Sequence, residues 1–117
     1  MTLLDQQTRT STYVPVCIAR RLTPDRGVAA LVDGRPIALF RLATGDLHAV
    51  DNVDPISGAS VLSRGIVGDA DGRPTVASPL YKQRFDLRTG ECLDADASIA
   101  VHDARLIDGM VHVRVST

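Results

Sequence analysis

Short apolar runs separated by turn-forming residues dominate the chain from Val14 onward. Runs rich in Val, Ile, Leu and Ala are interrupted about every eight to twelve residues by Gly, Asp, Asn or Pro, a spacing typical of small all-β domains. No amphipathic helix longer than a turn or two is indicated. The pattern therefore predicts an antiparallel β-sandwich or barrel built from short strands.

Two Asp-Gly pairs, Asp33-Gly34 and Asp108-Gly109, each lie between apolar runs. Asp-Gly tolerates the positive φ angles of a two-residue hairpin loop, so both pairs predict tight hairpins with a fixed register. Alternation along the second hairpin places four apolar side chains on one face, which we expect in the core, and mostly polar ones on the other. The four are Ala104, Leu106, Val111 and Val113.

The first hairpin has a mostly apolar pattern on both of its faces. Such a pattern predicts that both faces are covered by other parts of the protein. Further strands are expected at residues 14–19, 46–50, 75–78 and 84–87. Residues 58–67 contain β-branched residues and two glycines, which disfavour a stable helix and allow at most a short helical turn.

Length and charge limit the possible classes of protein. A chain of 117 residues suits one domain, and we expect a flexible tail at residues 1–12 followed by a single domain at 13–117. Hydrophobic residues make up 44% and charged residues 23%, as in ordinary globular proteins. The net charge of -1 gives no general attraction to nucleic acid or to an anionic membrane.

The sequence shows neither a signal peptide nor a membrane-spanning apolar segment. We therefore expect a cytoplasmic protein. Only Cys17 and Cys92 are present, without a Cys-x-x-Cys spacing. Two free, partly buried thiols are the simpler expectation, although the sequence leaves a disulfide between them open.

Residue patterns for catalysis are scarce. The sequence lacks Gly-x-Ser-x-Gly, a phosphate-binding glycine loop and His-Glu-x-x-His. We expect His48, His102 and His112 at the surface or its rim, and the hairpin register places the last two on opposite faces. Asp69 and Asp71 lie in turns, where Asp side chains commonly bind nearby backbone.

Two segments carry a more specific signal, namely NVDPISGASVLSRGIVGD at residues 52–69 and VASPLYKQRFDLRTGECL at residues 76–93. Their spacing and neighbouring residues resemble the two cluster-binding loops of Rieske ferredoxins and Rieske domains. In that family one loop supplies Cys-x-His and the other Cys-x-x-His to a [2Fe–2S] cluster. The resemblance aligns these ligand positions with Asp54, Ile56, Ser78 and Tyr81.

None of these four residues is a Rieske ligand. Ile56 has no donor atom, and the hydroxyls of Ser78 and Tyr81 ionise far above neutral pH. Asp54 alone suits a metal, and then a hard cation. We therefore expect no metal and no cofactor in this chain. Around these positions, Gly58 and Gly90 suit positive φ angles.

The longer matching stretches resemble the small subunit of assimilatory NAD(P)H-dependent nitrite reductase, a family with a Rieske-like fold and no cluster ligands. The resemblance extends from about Val16 to Val115. It implies a partner, the large subunit, which carries FAD, an iron–sulfur cluster and sirohaem and reduces nitrite to ammonium. The chain itself would have no catalytic centre. A Rieske-type electron carrier and a binding module of another oxidoreductase remain as alternatives.

Residues at the two loop tips are candidates for docking to that partner. Apolar and aromatic anchors with nearby cations are typical of interface hot spots. An alternative is that Leu80 and Tyr81 fill the space that a cluster would occupy, because an empty cavity is costly. The docking candidates are Ile56, Leu80 and Tyr81 as anchors and Arg64, Lys82 and Arg84 as steering charges.

Overall fold

The computed structural model describes residues 12–116. Within that range the chain forms nine β-strands and two short 3₁₀ turns, Ala19–Arg21 and Leu62–Arg64, so the expected all-β class is confirmed. The strands are β1 Val14–Ile18, β2 Gly27–Val32, β3 Arg35–Arg41, β4 Leu47–Asp51, β5 Ile66–Ala70, β6 Arg73–Ala77, β7 Arg84–Asp86, β8 Val101–Ile107 and β9 Met110–Arg114.

The strands form two antiparallel sheets. The larger has the order β1-β9-β8-β4-β3-β2, and the smaller has the order β5-β6-β7. Eight of the nine strands had been expected from apolar runs or hairpins in nearly these positions, whereas β5 was missed. The expected short turn within residues 58–67 is the second 3₁₀ turn.

Strand β3 separates two apolar cores, and its four central residues are fully buried. Ile37 and Leu39 pack into a core with side chains from β4 and β9. Ala38 and Phe40 face the other way, into a core that the smaller sheet completes with Val76 and Phe85. This second core supports the segments that resemble Rieske loops.

The Asp-Gly hairpins form as predicted. Asp33-Gly34 and Asp108-Gly109 have φ angles between 51° and 79°, and Leu106 lies opposite Val111 in the expected register. A third hairpin, with Asp71-Gly72 between β5 and β6, uses the same turn. The sequence contained its signal, but β5 had not been recognised as a strand.

Two expectations about the burial of the hairpins are wrong. Leu106 is 60% exposed. Strand β4 pairs with β8 only near Val101 and His102, so the part of the second hairpin that contains Leu106 extends beyond β4. In the first hairpin β3 is covered on both faces as expected, but β2 is the outer strand of the sheet, and Leu31 is 73% exposed.

His102 is buried, contrary to the expectation of a surface position. Its Nδ1 accepts the backbone N–H of Ser116 at 3.0 Å, so the neutral ring carries its proton on Nε2, which donates to Asp51 Oδ1 at 2.8 Å. Arg35 holds the same carboxylate through two nitrogens, at 3.0 and 3.2 Å. This network joins the end of β9 to the end of β4. His48 and His112 are half-buried, consistent with rim positions.

Both cysteines are free, Cys17 half-buried and Cys92 buried, so a disulfide between them is absent. No helix among residues 12–116 is long and apolar enough to span a membrane. Apart from Thr12, the tail expected at residues 1–12 lies outside the described residues.

Candidate functional site

Two loops form the candidate site. The first loop, residues 53–60, connects β4 to the second 3₁₀ turn, and the second loop, residues 78–83, connects β6 to β7. Asn52 fixes both ends of the first loop: its Nδ2 donates to Ser60 Oγ at 2.8 Å and its Oδ1 accepts the N–H of Ser63 at 2.7 Å. Its carbonyl also accepts the N–H groups of Val61 and Leu62.

Both loops have the same hydrogen-bonding pattern. In the first, the carbonyl of Asp54 accepts the N–H four residues later and its N–H donates to the carbonyl five residues later. Ser78 makes the same two bonds in the second loop. The fourth residue after each has a positive φ angle, 79° at Gly58 and 68° at Lys82.

The same pattern occurs a third time at residues 86–91. Asp86 bonds backbone groups four and five residues later, and Gly90 has a φ of 81°. A sequence signal for this repeat exists, because Asp is followed four residues later by Gly in both the first and third loops. Sequence reasoning identified the glycines but not the repeated loop.

A side-chain hydrogen bond joins the first two loops. Ser78 Oγ donates to Asp54 Oδ2 at 2.6 Å, and both residues are fully buried. The other carboxylate oxygen, Oδ1, accepts the backbone N–H of Ile56 at 2.8 Å. The two residues aligned with the cysteine ligands of Rieske loops therefore bind each other.

The hydrogen bonds to Asp54 keep its carboxylate charged. Burial by itself raises the pKa of this group, but donation from Ser78 and from the backbone of Ile56 and Ser57 outweighs burial and lowers the pKa below its usual value. A buried carboxylate that accepts several such bonds is stable as an anion. Asp54 thus acts as a hydrogen-bond acceptor between the loops.

These four residues do not fit an iron–sulfur cluster. Such a cluster needs two thiolates and two imidazoles, whereas Asp54 and Ser78 use their polar atoms on each other and Ile56 has no donor. Among residues 12–116, no group of three or more His, Cys, Asp or Glu side chains is arranged to hold a metal ion.

The side chains at the loop tips are exposed. Ile56 is 39%, Leu80 50% and Tyr81 60% accessible to solvent. This exposure does not favour the alternative in which Leu80 and Tyr81 fill the space between the loops.

The three candidate steering charges differ in their surroundings. Arg64 and Lys82 are exposed and have no ion pair with any described residue. Arg84 is exposed but binds both carboxylate oxygens of Asp94, at 2.8 and 3.0 Å, and this pairing lowers the pKa of Asp94 to about 2. Arg64 and Lys82 are thus more available to a partner than Arg84.

Comparison with known proteins identifies the same fold. A family model described as a Rieske-like [2Fe-2S] domain matches residues 12–114. The solution structure of the Escherichia coli protein NirD has a TM-score of 0.82 and 37% sequence identity, with 91% of this chain and 98% of that chain covered.

Two curated relatives are informative about identity. The nitrite reductase (NADH) small subunit of Salmonella typhimurium is 42% identical over 106 residues, covering 89% of this chain and 98% of the relative. The nitrite reductase [NAD(P)H] large subunit of Klebsiella oxytoca is 42% identical over 100 residues, covering 84% of this chain but 10% of that subunit. The chain therefore belongs to the family of nitrite reductase small subunits with a Rieske-like fold.

Proposed function

We propose that this chain is the non-catalytic small subunit of an assimilatory NAD(P)H-dependent nitrite reductase in the cytoplasm. It binds a large subunit that carries FAD, an iron–sulfur cluster and sirohaem and that reduces nitrite to ammonium. The names of its relatives support this assignment. The small subunit contributes a binding surface and no redox centre.

The observation that carries the proposal is the bond between Asp54 and Ser78. In a Rieske protein the corresponding positions hold the metal, so the two loops serve electron transfer. Here the polar atoms at those positions bind each other and hold the two loops together. A pair of loops joined in this way is suited to recognition of another polypeptide.

The docking surface consists of the exposed tips of both loops. Ile56, Leu80 and Tyr81 provide the apolar anchors, since side chains exposed to this extent contribute little to the core. Arg64 and Lys82 provide steering charges. Arg84 is paired with Asp94 and therefore contributes least to steering among the three cations.

A K. oxytoca large subunit with a segment similar to this chain favours the large subunit as the partner. Such a segment is covalently linked to the rest of the large subunit, and a covalent link between two interacting proteins raises the effective concentration of one at the other. An independent Rieske-type electron carrier is not favoured, because the ligand positions lack suitable donors.

Co-expression with the large subunit tests this proposal. We expect the two chains to co-purify, and nitrite-dependent NAD(P)H oxidation to be higher with the small subunit than with the large subunit alone. The matched control is the variant Tyr81→Ala, which should fold but co-purify poorly. Failure of the wild-type chain to associate with the large subunit would refute the proposal.

A further inference from the structure

We infer that the surface covered by the large subunit extends beyond the two loops to the outer strand β2, with Leu31 and Val53 as further contacts. This inference rests on the proposed function, because it concerns the same partner. It assigns a role to Leu31, which lies outside the two loops, and to Val53, which begins the first loop.

Leu31 lies on the side of the large sheet on which the loops pack. It pairs with Pro36, and side chains alternate along a strand, so Leu31 and Pro36 share a face with Ala38 and Phe40. That face contains the core shared with the smaller sheet. Leu31 is therefore at the open edge of the face that the loops cover.

Hydrogen bonds place Leu31 at the same end of the molecule as the first loop. The carbonyl of Pro36, its strand partner, accepts the N–H of Asn52 at 3.0 Å. Asn52 directly precedes Val53, which is 36% exposed. Leu31 and the first loop thus lie at the same end of the large sheet, with strand β3 between them.

The side chain of Leu31 is largely exposed. It is 73% exposed, the highest value among the large apolar side chains of the described residues, and it lies on an outer strand. Outer strands of stable monomers usually carry charged residues or are covered, since exposed apolar edges promote association. An exposed leucine at this edge indicates a surface that a partner covers.

The location of the start of β1 and the end of β9, near Leu31, favours the large subunit as that partner. Val14, which begins β1, pairs with Val113 near the end of β9, and the carbonyl of Ser116 accepts a bond from Arg35 Nη1 at 3.3 Å. Arg35 follows the turn after Leu31 and Val32. A segment of this fold within a longer large subunit would be connected to it at this same end.

A competition experiment tests the inference. Each variant displaces labelled wild-type chain from the purified large subunit, and the apparent dissociation constant is measured. We expect Leu31→Ser to weaken binding by about tenfold and Val53→Ser by less. The matched control is Leu106→Ser, a leucine 60% exposed at the turn of the second hairpin, which should bind within about twofold of wild type. Thermal unfolding of each variant checks that the fold is intact.

The outcomes separate this inference from the proposed function. If Tyr81→Ala weakens binding while Leu31→Ser binds like wild type, the surface ends at the loops and the inference is wrong, although the proposed function stands. If the wild-type chain does not bind the large subunit, the proposed function fails. If Leu31→Ser only dissolves a self-association of the small subunit seen by gel filtration, the surface belongs to a second copy and the inference is overturned.

Discussion

Ser78 Oγ donates a hydrogen bond to Asp54 Oδ2 across 2.6 Å, although 24 residues separate them in the sequence. Each residue begins a loop with the same backbone pattern, and each is fully buried. The bond therefore connects two similar loops at equivalent positions, where a Rieske protein would connect them through a metal cluster.

Removal of the Ser78 hydroxyl should destabilise the fold. In Ser78→Ala the buried carboxylate of Asp54 loses a donor without gaining water, so we expect the free energy of unfolding to fall by about 1–3 kcal/mol. Urea denaturation measures the change. Thr23→Ala removes an exposed hydroxyl and should change the value by less than about 0.5 kcal/mol. Equal effects of the two substitutions would contradict the structural role of the bond.

Stability should decrease in acid. The pKa values of Asp51, Asp54 and Asp86 are lowered in the folded protein: burial alone would raise them, but hydrogen bonds to each carboxylate outweigh it. The unfolded chain, with ordinary pKa values near 3.9, then binds more protons in acid, so stability is present above about pH 4 and is lost as the pH falls below it.

Asp54→Asn tests the share of this effect that belongs to the bond between the loops. The amide cannot titrate. We therefore expect the variant to lose less unfolding free energy than the wild type between about pH 5 and about pH 3. Urea denaturation at several pH values provides the comparison. An unchanged slope would show that Asp54 does not contribute to the acid sensitivity.

Two glycines at equivalent loop positions should respond differently to substitution by alanine. Gly58 has a φ of 79° and open space around it, so Gly58→Ala should cost only the backbone strain of about 1 kcal/mol. At Gly90 a Cβ atom would also lie 2.0 Å from the carbonyl oxygen of Ile99. Gly90→Ala should therefore lower the melting temperature considerably more than Gly58→Ala, and similar values for the two would argue against the third loop as described.

Tyr81 should matter for binding and hardly at all for folding. Because its side chain is 60% exposed, we expect Tyr81→Ala to change the free energy of unfolding by about 0.5 kcal/mol or less. Binding to the large subunit should weaken at least about tenfold, as for an interface hot spot. Tyr81→Phe keeps the ring and serves as the control. A large loss of stability in Tyr81→Ala would instead support a role in the core.

Much of the fold could be predicted because local residues determine it. Asp-Gly turns fix both the hairpins and their register, as the pairing of Leu106 with Val111 shows. Burial was harder to predict, because it depends on which strands are neighbours in the sheet. Leu106 is exposed because it lies beyond the start of β4, whereas His102 is buried beside Asp51 at the end of β4.

The two loops that carry the aligned ligand positions could be recognised from the sequence, but the contacts between them could not. The sequence identified both loops and the residues at the ligand positions, and their location in two adjacent loops agrees with the structure. The bond between Asp54 and Ser78 could not be predicted, since it requires the three-dimensional distance between two loops. The pairing of Arg84 with Asp94 likewise depends on the path of the chain after β7.

Iron and acid-labile sulfide analysis of the anaerobically purified chain tests the central claim most directly, namely that a hydrogen bond has replaced the metal between these loops. The account predicts far less than one iron atom per chain and no visible absorbance. A folded protein that contains two iron atoms and two sulfide ions per chain, the content of a [2Fe–2S] cluster, would contradict it.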